Sequence, residues 1–218
     1  MIVRRLQGLE GARAATGAAV IIDVFRAFTT AAFAIAAGAG EVVLVADHEQ
    51  ALALKAGDPT LFLTGEIGGK PIPGFDLGNS PSQLEHLDLS GRRVVQRTSS
   101  GTQGVVAAAG ATEIVLGSLV IAGATARYLQ GRDLVSLVAM GTPGGDDHDE
   151  DGICAGYLER VLLGDLPARP EIALALAEEW PDWFPRRDAE LACELDRFSF
   201  ALPVARENGL LIARPVSI

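Results

Sequence analysis

The sequence predicts a three-layer α/β/α fold with a largely parallel or mixed central sheet. Three observations predict it. Short β-branched apolar runs recur along the chain, most are followed by an Ala-rich segment, and glycines stand where the helices should end. Strands alternating with helices imply βαβ units with helices on both faces of a sheet. The runs are almost continuously apolar, which is typical of strands covered on both faces.

The predicted elements follow one another in a regular order. Strands are expected at residues 18–24, 41–46, 60–64, 92–97, 113–116 and 134–139. Helices are expected between them at 26–37, 48–56, 82–86, 102–109 and 120–130. Gly38, Gly57, Gly110 and Gly131 directly follow four of these helices, and glycine is the residue that most often ends a helix.

The part of the chain from about residue 151 is predicted to be more helical. Helices are expected at 151–163, 171–180 and 189–197, and a strand at 210–213. The prolines in this stretch mark helix boundaries rather than a linker between domains. We therefore interpret residues 1–218 as a single α/β domain.

Composition excludes several classes of protein. The formal charge is −10, from 18 Lys and Arg against 28 Asp and Glu, which argues against a nucleic-acid-binding protein. No run of apolar residues is long enough to span a membrane. Two cysteines, Cys154 and Cys193, are too few for a disulfide scaffold and fit a reducing compartment, so the cytoplasm is the expected location. A homodimer is the default expectation for the oligomeric state.

Polar residues and glycines collect after the predicted strands, where open α/β sheets bind their ligands. Strand one ends at Asp23 and is followed by Arg26, and strand three is followed by Glu66 and then Asp76. Strand six leads into an acidic run that ends near Asp151. The sequence therefore predicts a ligand site at this edge of the sheet.

The turn after the fourth strand is a candidate anion site. Hydroxyl groups and a glycine stand there at the start of a helix, whose N–H groups and dipole suit a phosphate or a sulfonate. The alternative is an ordinary helix cap, because Ser and Thr are preferred capping residues. The spacing is not that of a Walker A loop. The candidate residues are Arg97, Thr98, Ser99, Ser100, Gly101 and Thr102.

Several carboxylates are candidates for chemistry at the same edge. Asp23 fits a nucleophile, a metal ligand or a proton acceptor, and equally a local ion pair with Arg26. Glu66 stands in a glycine-rich loop whose backbone can approach a ligand closely. Asp76 fits either a metal or substrate contact or an Asx turn. Asp151 or Glu150 fits a site for a hard cation, and the acidic run also fits a solvated cluster of charges.

These motifs, taken in order, closely resemble the 2-phosphosulfolactate phosphatase family. They are DVFRAFTT at 23–30, GEIGG at 65–69, GFDLGNSP at 74–81, RTSSGT at 97–102, GS at 117–118 and EDGICAG at 150–156. The resemblance implies a compact α/β protein. It also implies an Mg²⁺-dependent hydrolase that removes phosphate from a small sulfonated hydroxy acid and is associated with coenzyme M biosynthesis.

The resemblance also implies roles for the candidate residues. Asp23 would act as the nucleophile or would position the attacking water. Arg26 and Arg97 would donate charge-assisted hydrogen bonds to the phosphate, against the backbone of the loop from Ser99 to Thr102. The expected cofactor is Mg²⁺, and its expected ligands are Glu66, Asp151 and Asp76.

Three positions differ from the residues that are typical of the family. Ile67 stands where an Arg is usual, and Ser100 and Ile121 each replace an Asn. Loss of an Arg and two amides weakens the recognition of a doubly anionic sulfonate. Two alternatives therefore stay open: a phosphatase of another 2-phospho-hydroxy acid, and an anion-binding relative without turnover.

Overall fold

The computed structural model describes residues 1–141, 149–165 and 184–218. Its α-helices and strands are, in chain order, β1 (Ile2–Gln7), α1 (Gly8–Ala14), β2 (Ala18–Ile22), α2 (Ala27–Ala36), β3 (Glu41–Leu44), α3 (His48–Gly57), β4 (Phe62–Ile67), β5 (Lys70–Pro71), β6 (Arg93–Arg97), α4 (Gly101–Ala107), β7 (Glu113–Gly117), α5 (Ala122–Tyr128), β8 (Leu134–Ala139), α6 (Glu150–Leu162), α7 (Arg186–Ala192), β9 (Phe200–Glu207), β10 (Leu210–Ala213) and β11 (Val216–Ser217). Short 3₁₀ helices cover Pro81–Leu84 and Leu119–Ile121.

The strands form one mixed sheet in the order β1-β8-β2-β7-β9-β10-β3-β6-β4-β5, with β11 paired to β9. Strands β1, β8, β2 and β7 are parallel to one another. Strands β3, β6 and β4 form a second parallel group. The antiparallel hairpin β9–β10 joins the two groups, because β9 pairs antiparallel with β7 and β10 pairs antiparallel with β3.

Helices cover both faces of the sheet, which confirms the three-layer fold. On one face α1, α2 and α4 pack on the largest hydrophobic cluster, and nine of the ten residues of α2 are buried. On the other face α5 and α6 cover strands β2, β7 and β8, while α3 covers β3, β4 and β6. None of the helices in the described ranges has the length and apolar character needed to cross a membrane.

The carboxyl ends of the two parallel groups meet, although the hairpin sets the groups antiparallel to each other. Four strands lie between β2 and β6. Even so, the Gln96 side chain of β6 donates a 2.7 Å hydrogen bond to the carbonyl of Ala27, at the start of α2. Sheet twist of roughly 20–25° per strand accumulates to more than about 100° over this distance. That rotation turns the carboxyl end of β6 back toward the loop that follows β2.

All six predicted early strands are present, with ends that differ by a few residues. The predicted helix at 82–86 is the 3₁₀ turn Pro81–Leu84, and the predicted helix at 189–197 is α7, which begins and ends earlier. The predicted helix at 171–180 lies outside the described residues. Strand β9 was not predicted because Pro203 stands in its middle, and proline normally argues against a central strand. Strand β1 was not predicted because Arg4 and Arg5 interrupt its apolar residues.

The hairpin leads to a test of the fold. Leu202 of β9 is fully buried between the two parallel groups. Leu202→Ala should lower the free energy of unfolding by about 2–5 kcal/mol, because it removes buried methyl groups and leaves a cavity. Urea titration measures this change. Leu87→Ala, at a position that is 40% exposed, is the control and should change stability by less than about 0.5 kcal/mol. Equal stability of the two variants would contradict this arrangement of the sheet.

Candidate functional site

Asp23 lies just beyond the end of β2 and is almost completely buried. Its Oδ1 accepts a 2.9 Å hydrogen bond from the N–H of Ala27, in the first turn of α2. Its Oδ2 faces Gly101 at the start of α4, where a Cβ atom would come within 2.8 Å of that oxygen. Any larger side chain at Gly101 would push the carboxylate aside. The glycine in the RTSSGT motif therefore allows the start of α4 to approach Asp23.

Glu66 near the end of β4 is held by the loop that follows β6. Its Oε1 accepts a hydrogen bond from the N–H of Ser99, and its Oε2 accepts from the Ser99 hydroxyl at 3.1 Å. The N–H of Gly69 donates to Oε2 at 2.6 Å. With these partners the carboxylate is buried and is fixed in one orientation.

Asp151 in the first turn of α6 reaches back to the sheet. Its Oδ1 accepts a 2.6 Å hydrogen bond from the N–H of Val24, next to Asp23. Its Oδ2 accepts a 2.8 Å hydrogen bond from the N–H of Gly141, just after β8. The side chain is almost completely buried. Asp151 therefore connects α6 to the loops after β2 and β8, and it lies beside Asp23.

Burial and neighbouring negative charges raise the pKa of both Asp23 and Asp151. Burial raises the pKa of Asp23 to about 6 and the negative charge of Glu66 adds to the rise, while the N–H groups of Ala27 and Gly101 and the charge of Arg26 oppose it. Burial raises the pKa of Asp151 well above its ordinary value, and the charge of Asp23 raises it further. Such mutual repulsion in a buried site is relieved when a proton or a cation is bound.

Glu150 belongs to the same acidic group. Burial raises its pKa to about 7, and the charges of Asp149 and Asp23 contribute to the rise. Asp149 itself caps α6, because its Oδ1 accepts a 2.7 Å hydrogen bond from the N–H of Gly152. The acidic motif therefore provides a helix cap, a buried carboxylate at Asp151 and a third charge within electrostatic range of Asp23. The neighbouring residues 142–148 lie outside the described ranges.

Three backbone N–H groups of the RTSSGT loop have hydrogen-bond acceptors within the protein. The N–H of Ser99 donates to Glu66, and the N–H of Thr102 donates to the hydroxyl of Thr98 at 3.1 Å. The N–H of Gly101 faces Asp23. The positive end of this short helix thus stabilises the protein's own carboxylates, and the phosphate contact expected of this loop stays a prediction.

The side chains of this loop differ in their accessibility. The hydroxyl of Thr102 donates to the carbonyl of Thr98 at 3.0 Å and accepts from the Thr98 N–H, and both residues are buried. Ser99 is exposed and Ser100 is half-buried. Ser100 is the N-cap of α4, yet among the described residues its side chain makes no capping hydrogen bond. Ser99 and Ser100 are therefore the hydroxyls of the loop that a ligand can reach.

Two predicted site residues have structural partners. Arg97 donates to the carbonyls of Ala46 at 3.1 Å and Glu66 at 2.8 Å, so its guanidinium ties the loops after β3, β4 and β6 together. Asp76 forms an ion pair with Lys55 and accepts a 2.7 Å hydrogen bond from the N–H of Leu63. We therefore leave Asp76 out of the set of proposed metal ligands.

Arg26 is nearly buried and forms an ion pair with Asp188 of α7, with 3.0 Å between Nη1 and Oδ2. Its guanidinium also lies over the ring of Phe184, with Cζ 4.5 Å from the ring centroid. Sequence reasoning selected Arg26 but missed its partner, which stands 162 residues away. Burial of this pair could not be predicted from the local sequence, because the helix that carries Asp188, α7, is short and polar.

The donor set fits a magnesium ion only in part. Within the described ranges, no three His, Cys, Asp or Glu side chains form a ready-made metal cage. Asp23 nevertheless supplies a buried hard oxygen donor, and the buried carboxylates of Glu66 and Asp151 lie within electrostatic range of it. Mg²⁺ usually takes one or two carboxylates and completes its shell with water and substrate phosphate. The cluster fits that sparse type of site and does not fit a closed cage.

The coupling between Asp23 and Glu66 can be tested in the metal-free protein. Glu66→Gln removes a negative charge near Asp23 and should therefore lower the pKa of Asp23 below about 6. Carboxyl ¹³C chemical shifts recorded across pH 4 to 8 measure this value. Asp165→Asn is the control, because Asp165 is exposed and pairs with Arg160. An unchanged Asp23 pKa in Glu66→Gln would show that the two carboxylates are not coupled.

Comparison with known proteins identifies the family. Residues 5–183 match the model of the family described as 2-phosphosulpholactate phosphatase. A probable 2-phosphosulfolactate phosphatase of Deinococcus radiodurans is 41% identical over 164 residues, which are 72% of this chain and 68% of that protein. Proteins of the same name from Thermus thermophilus and Bacillus subtilis are 38% identical over 173 residues and 34% over 148. These two matches cover 75% and 66% of this chain.

The matches span about two thirds of the relatives' own lengths, with 70% of the Thermus protein and 64% of the Bacillus protein covered. The family match includes every strand from β2 to β8, and therefore the loops that carry Asp23, Glu66 and Ser99. Asp151 also lies within it. The chain belongs to the 2-phosphosulfolactate phosphatase family of phosphoric monoester hydrolases.

Proposed function

We propose that this protein hydrolyses the phosphate ester of 2-phosphosulfolactate in a reaction that depends on Mg²⁺. One observation carries the proposal: the buried carboxylates of Glu66 and Asp151 each lie within electrostatic range of buried Asp23, with Arg26 beside Asp23 and Ser99 hydrogen-bonded to Glu66. Family membership supports the same reaction. Clusters of this kind are suited to phosphoryl transfer, where positioning and charge stabilisation supply most of the catalysis.

Asp23 is the residue that we assign to the chemical step. Its pKa of about 6 leaves it mostly ionised at neutral pH, so that Oδ2 has an electron pair to donate. In one route this oxygen attacks phosphorus, the ester oxygen of sulfolactate leaves with the bonding electrons and takes up a proton, and water then hydrolyses the aspartyl phosphate. In the other route Asp23 orients the water that attacks phosphorus directly.

Arg26 and Ser100 bind the substrate in this proposal. The Arg26 guanidinium is close enough to lower the pKa of Asp23, and its charge would attract the phosphoryl oxygens. The hydroxyl of Ser100 would donate to the same oxygens, while the hydroxyl of Ser99 donates to Glu66. Arg97 does not bind the substrate in this proposal. It donates a hydrogen bond to the carbonyl of Glu66 and so holds the loop after β4 in place.

Asp151 and Glu66 are the residues that we expect to hold Mg²⁺ next to Asp23. The ion would offset negative charge on the phosphoryl oxygens. Binding of a cation here also relieves the repulsion that raises the pKa values of Asp23 and Asp151. The fixed hydrogen bonds of Glu66 and Asp151 keep both carboxylates in place before the ion arrives.

A second candidate substrate is a 2-phospho-hydroxy acid without the sulfonate. Ile67, where the family typically has an Arg, is 44% exposed at the end of β4, immediately after Glu66. Ile121 is completely buried in the main hydrophobic cluster, so this position contributes packing rather than a polar contact. Both features favour a substrate with fewer negative charges than 2-phosphosulfolactate.

The first test is phosphate release from racemic 2-phosphosulfolactate and from a panel of 2-phospho-carboxylates. Asp23→Asn should reduce kcat by about 10²–10⁴-fold, since it removes the ionised oxygen. Asp47→Asn is a matched control, because Asp47 also follows a strand but caps α3. Near-normal turnover by folded Asp23→Asn would rule out the role of Asp23. Release from the panel but not from the sulfonate would change the substrate and keep the reaction.

The second test concerns Mg²⁺ and pH. Because the pKa of Asp23 is raised in the folded state, folding is favoured most when Asp23 is protonated, below about pH 4, and this contribution is lost as the pH rises through about 6.

Mg²⁺ competes with the proton for the carboxylates, so Mg²⁺ should raise the Tm more at pH 7.5 than at pH 5. Differential scanning calorimetry measures the Mg²⁺-induced change in Tm at each pH. Asp151→Asn should reduce the change at pH 7.5. Equal shifts at the two pH values would contradict binding at this cluster.

A further inference from the structure

The ion pair between Arg26 and Asp188 is buried more deeply than any other ion pair among the described residues. The Arg26 side chain is 5% exposed and the Asp188 side chain is 0% exposed, with 3.0 Å between Nη1 and Oδ2. A buried ion pair pays a large desolvation penalty and seldom adds net stability over apolar packing. Its position beside Asp23 therefore suggests a role in the reaction.

Both oxygens of Asp188 have fixed partners. Oδ1 accepts a 2.8 Å hydrogen bond from the Ser80 hydroxyl and a 3.0 Å hydrogen bond from the N–H of Ser82, while Oδ2 accepts from Arg26. These contacts leave the carboxylate a single orientation. They also connect the end of the GFDLGNSP motif at 74–81 with α7 and with the loop after β2.

The guanidinium of Arg26 is held from a second direction as well. The ring of Phe184 lies under it, with Cζ 4.5 Å from the ring centroid. A planar guanidinium has five N–H donors in a rigid fork, so an anchor at Nη1 and a stacking partner together fix the direction of the whole fork. Arg26 also lies within electrostatic range of Asp23, whose pKa it lowers.

We propose that Asp188 is a positioning residue: it holds the guanidinium of Arg26 in the orientation that binds the phosphoryl oxygens beside Asp23. This inference rests on the proposed function. Asp188 does not touch the substrate and acts only through Arg26. Ser80 and Ser82 support it by fixing the other carboxylate oxygen.

The test compares two variants of the same helix. Asp188→Asn keeps the shape of the side chain but weakens its hold on Arg26, and should lower kcat/KM by about 10–100-fold. Arg187→Gln breaks the exposed pair with Glu85, one residue away on α7, and should leave kcat/KM unchanged. Asp188→Asn should also weaken competitive inhibition by inorganic phosphate about tenfold, since the orientation of Arg26 governs anion binding.

A double-mutant cycle separates positioning from general support of the fold. In an Arg26→Lys background, Asp188→Asn should cost less than about threefold in kcat/KM, because the oriented fork is already lost. An equal relative decrease in kcat/KM in both backgrounds would overturn the proposal. If Asp188→Asn does not fold, Ser80→Ala decides: it removes one hydrogen bond from Oδ1 and should lower kcat/KM severalfold, whereas an unchanged value would overturn the proposal.

Failure of the proposed function would give a different result. In that case the wild-type protein would release no phosphate from any ester of the panel. The test would then measure the binding of inorganic phosphate by ³¹P NMR. Weaker binding by Asp188→Asn than by Arg187→Gln would support the positioning role. Equal binding by those two variants would overturn it.

Discussion

Burial of several carboxylates at the ends of the strands is the constraint on which the rest of the site depends. Each carboxylate is stabilised by main-chain N–H groups from other parts of the chain. Asp151 uses Val24 and Gly141, and Glu66 uses Ser99 and Gly69. These contacts tie the loops after β2, β4, β6 and β8 to one another. The geometry of the site and the closure of this end of the sheet therefore depend on the same hydrogen bonds.

The fold and most of the acidic cluster could be predicted because both follow from short-range patterns. Buried strands are apolar, and chemistry in such folds collects at strand ends, which selected Asp23, Glu66 and Asp151. Partners remote in sequence could not be predicted, and Asp188 is the main example. The carboxylates that lie at the start of α4 could not be predicted either. A capping sequence shows that N–H groups are available there, but it does not show that Glu66 and Asp23 face them.

A negatively charged cluster that receives a negatively charged substrate requires a source of positive charge. The protein carries a formal charge of −10, and the side chains of Asp23, Glu66 and Asp151 add to the local field. Arg26 is partly neutralised by Asp188, and Arg97 is hydrogen-bonded to main-chain carbonyls. A cation bound between the carboxylates would reverse the local potential, which is why the acidic composition and an anionic substrate are compatible.

The hairpin β9–β10 gives the fold an unusual order of assembly. Strands β7 and β3 pair with it on either side, and the ribosome delivers it only after the strands β1 to β8 have been made. Until then, two separate groups of parallel strands each present an open apolar edge. Contacts between residues so distant in sequence slow folding, and open edges invite pairing with other chains. A nascent chain that stalls before residue 200 is therefore a candidate client for chaperones.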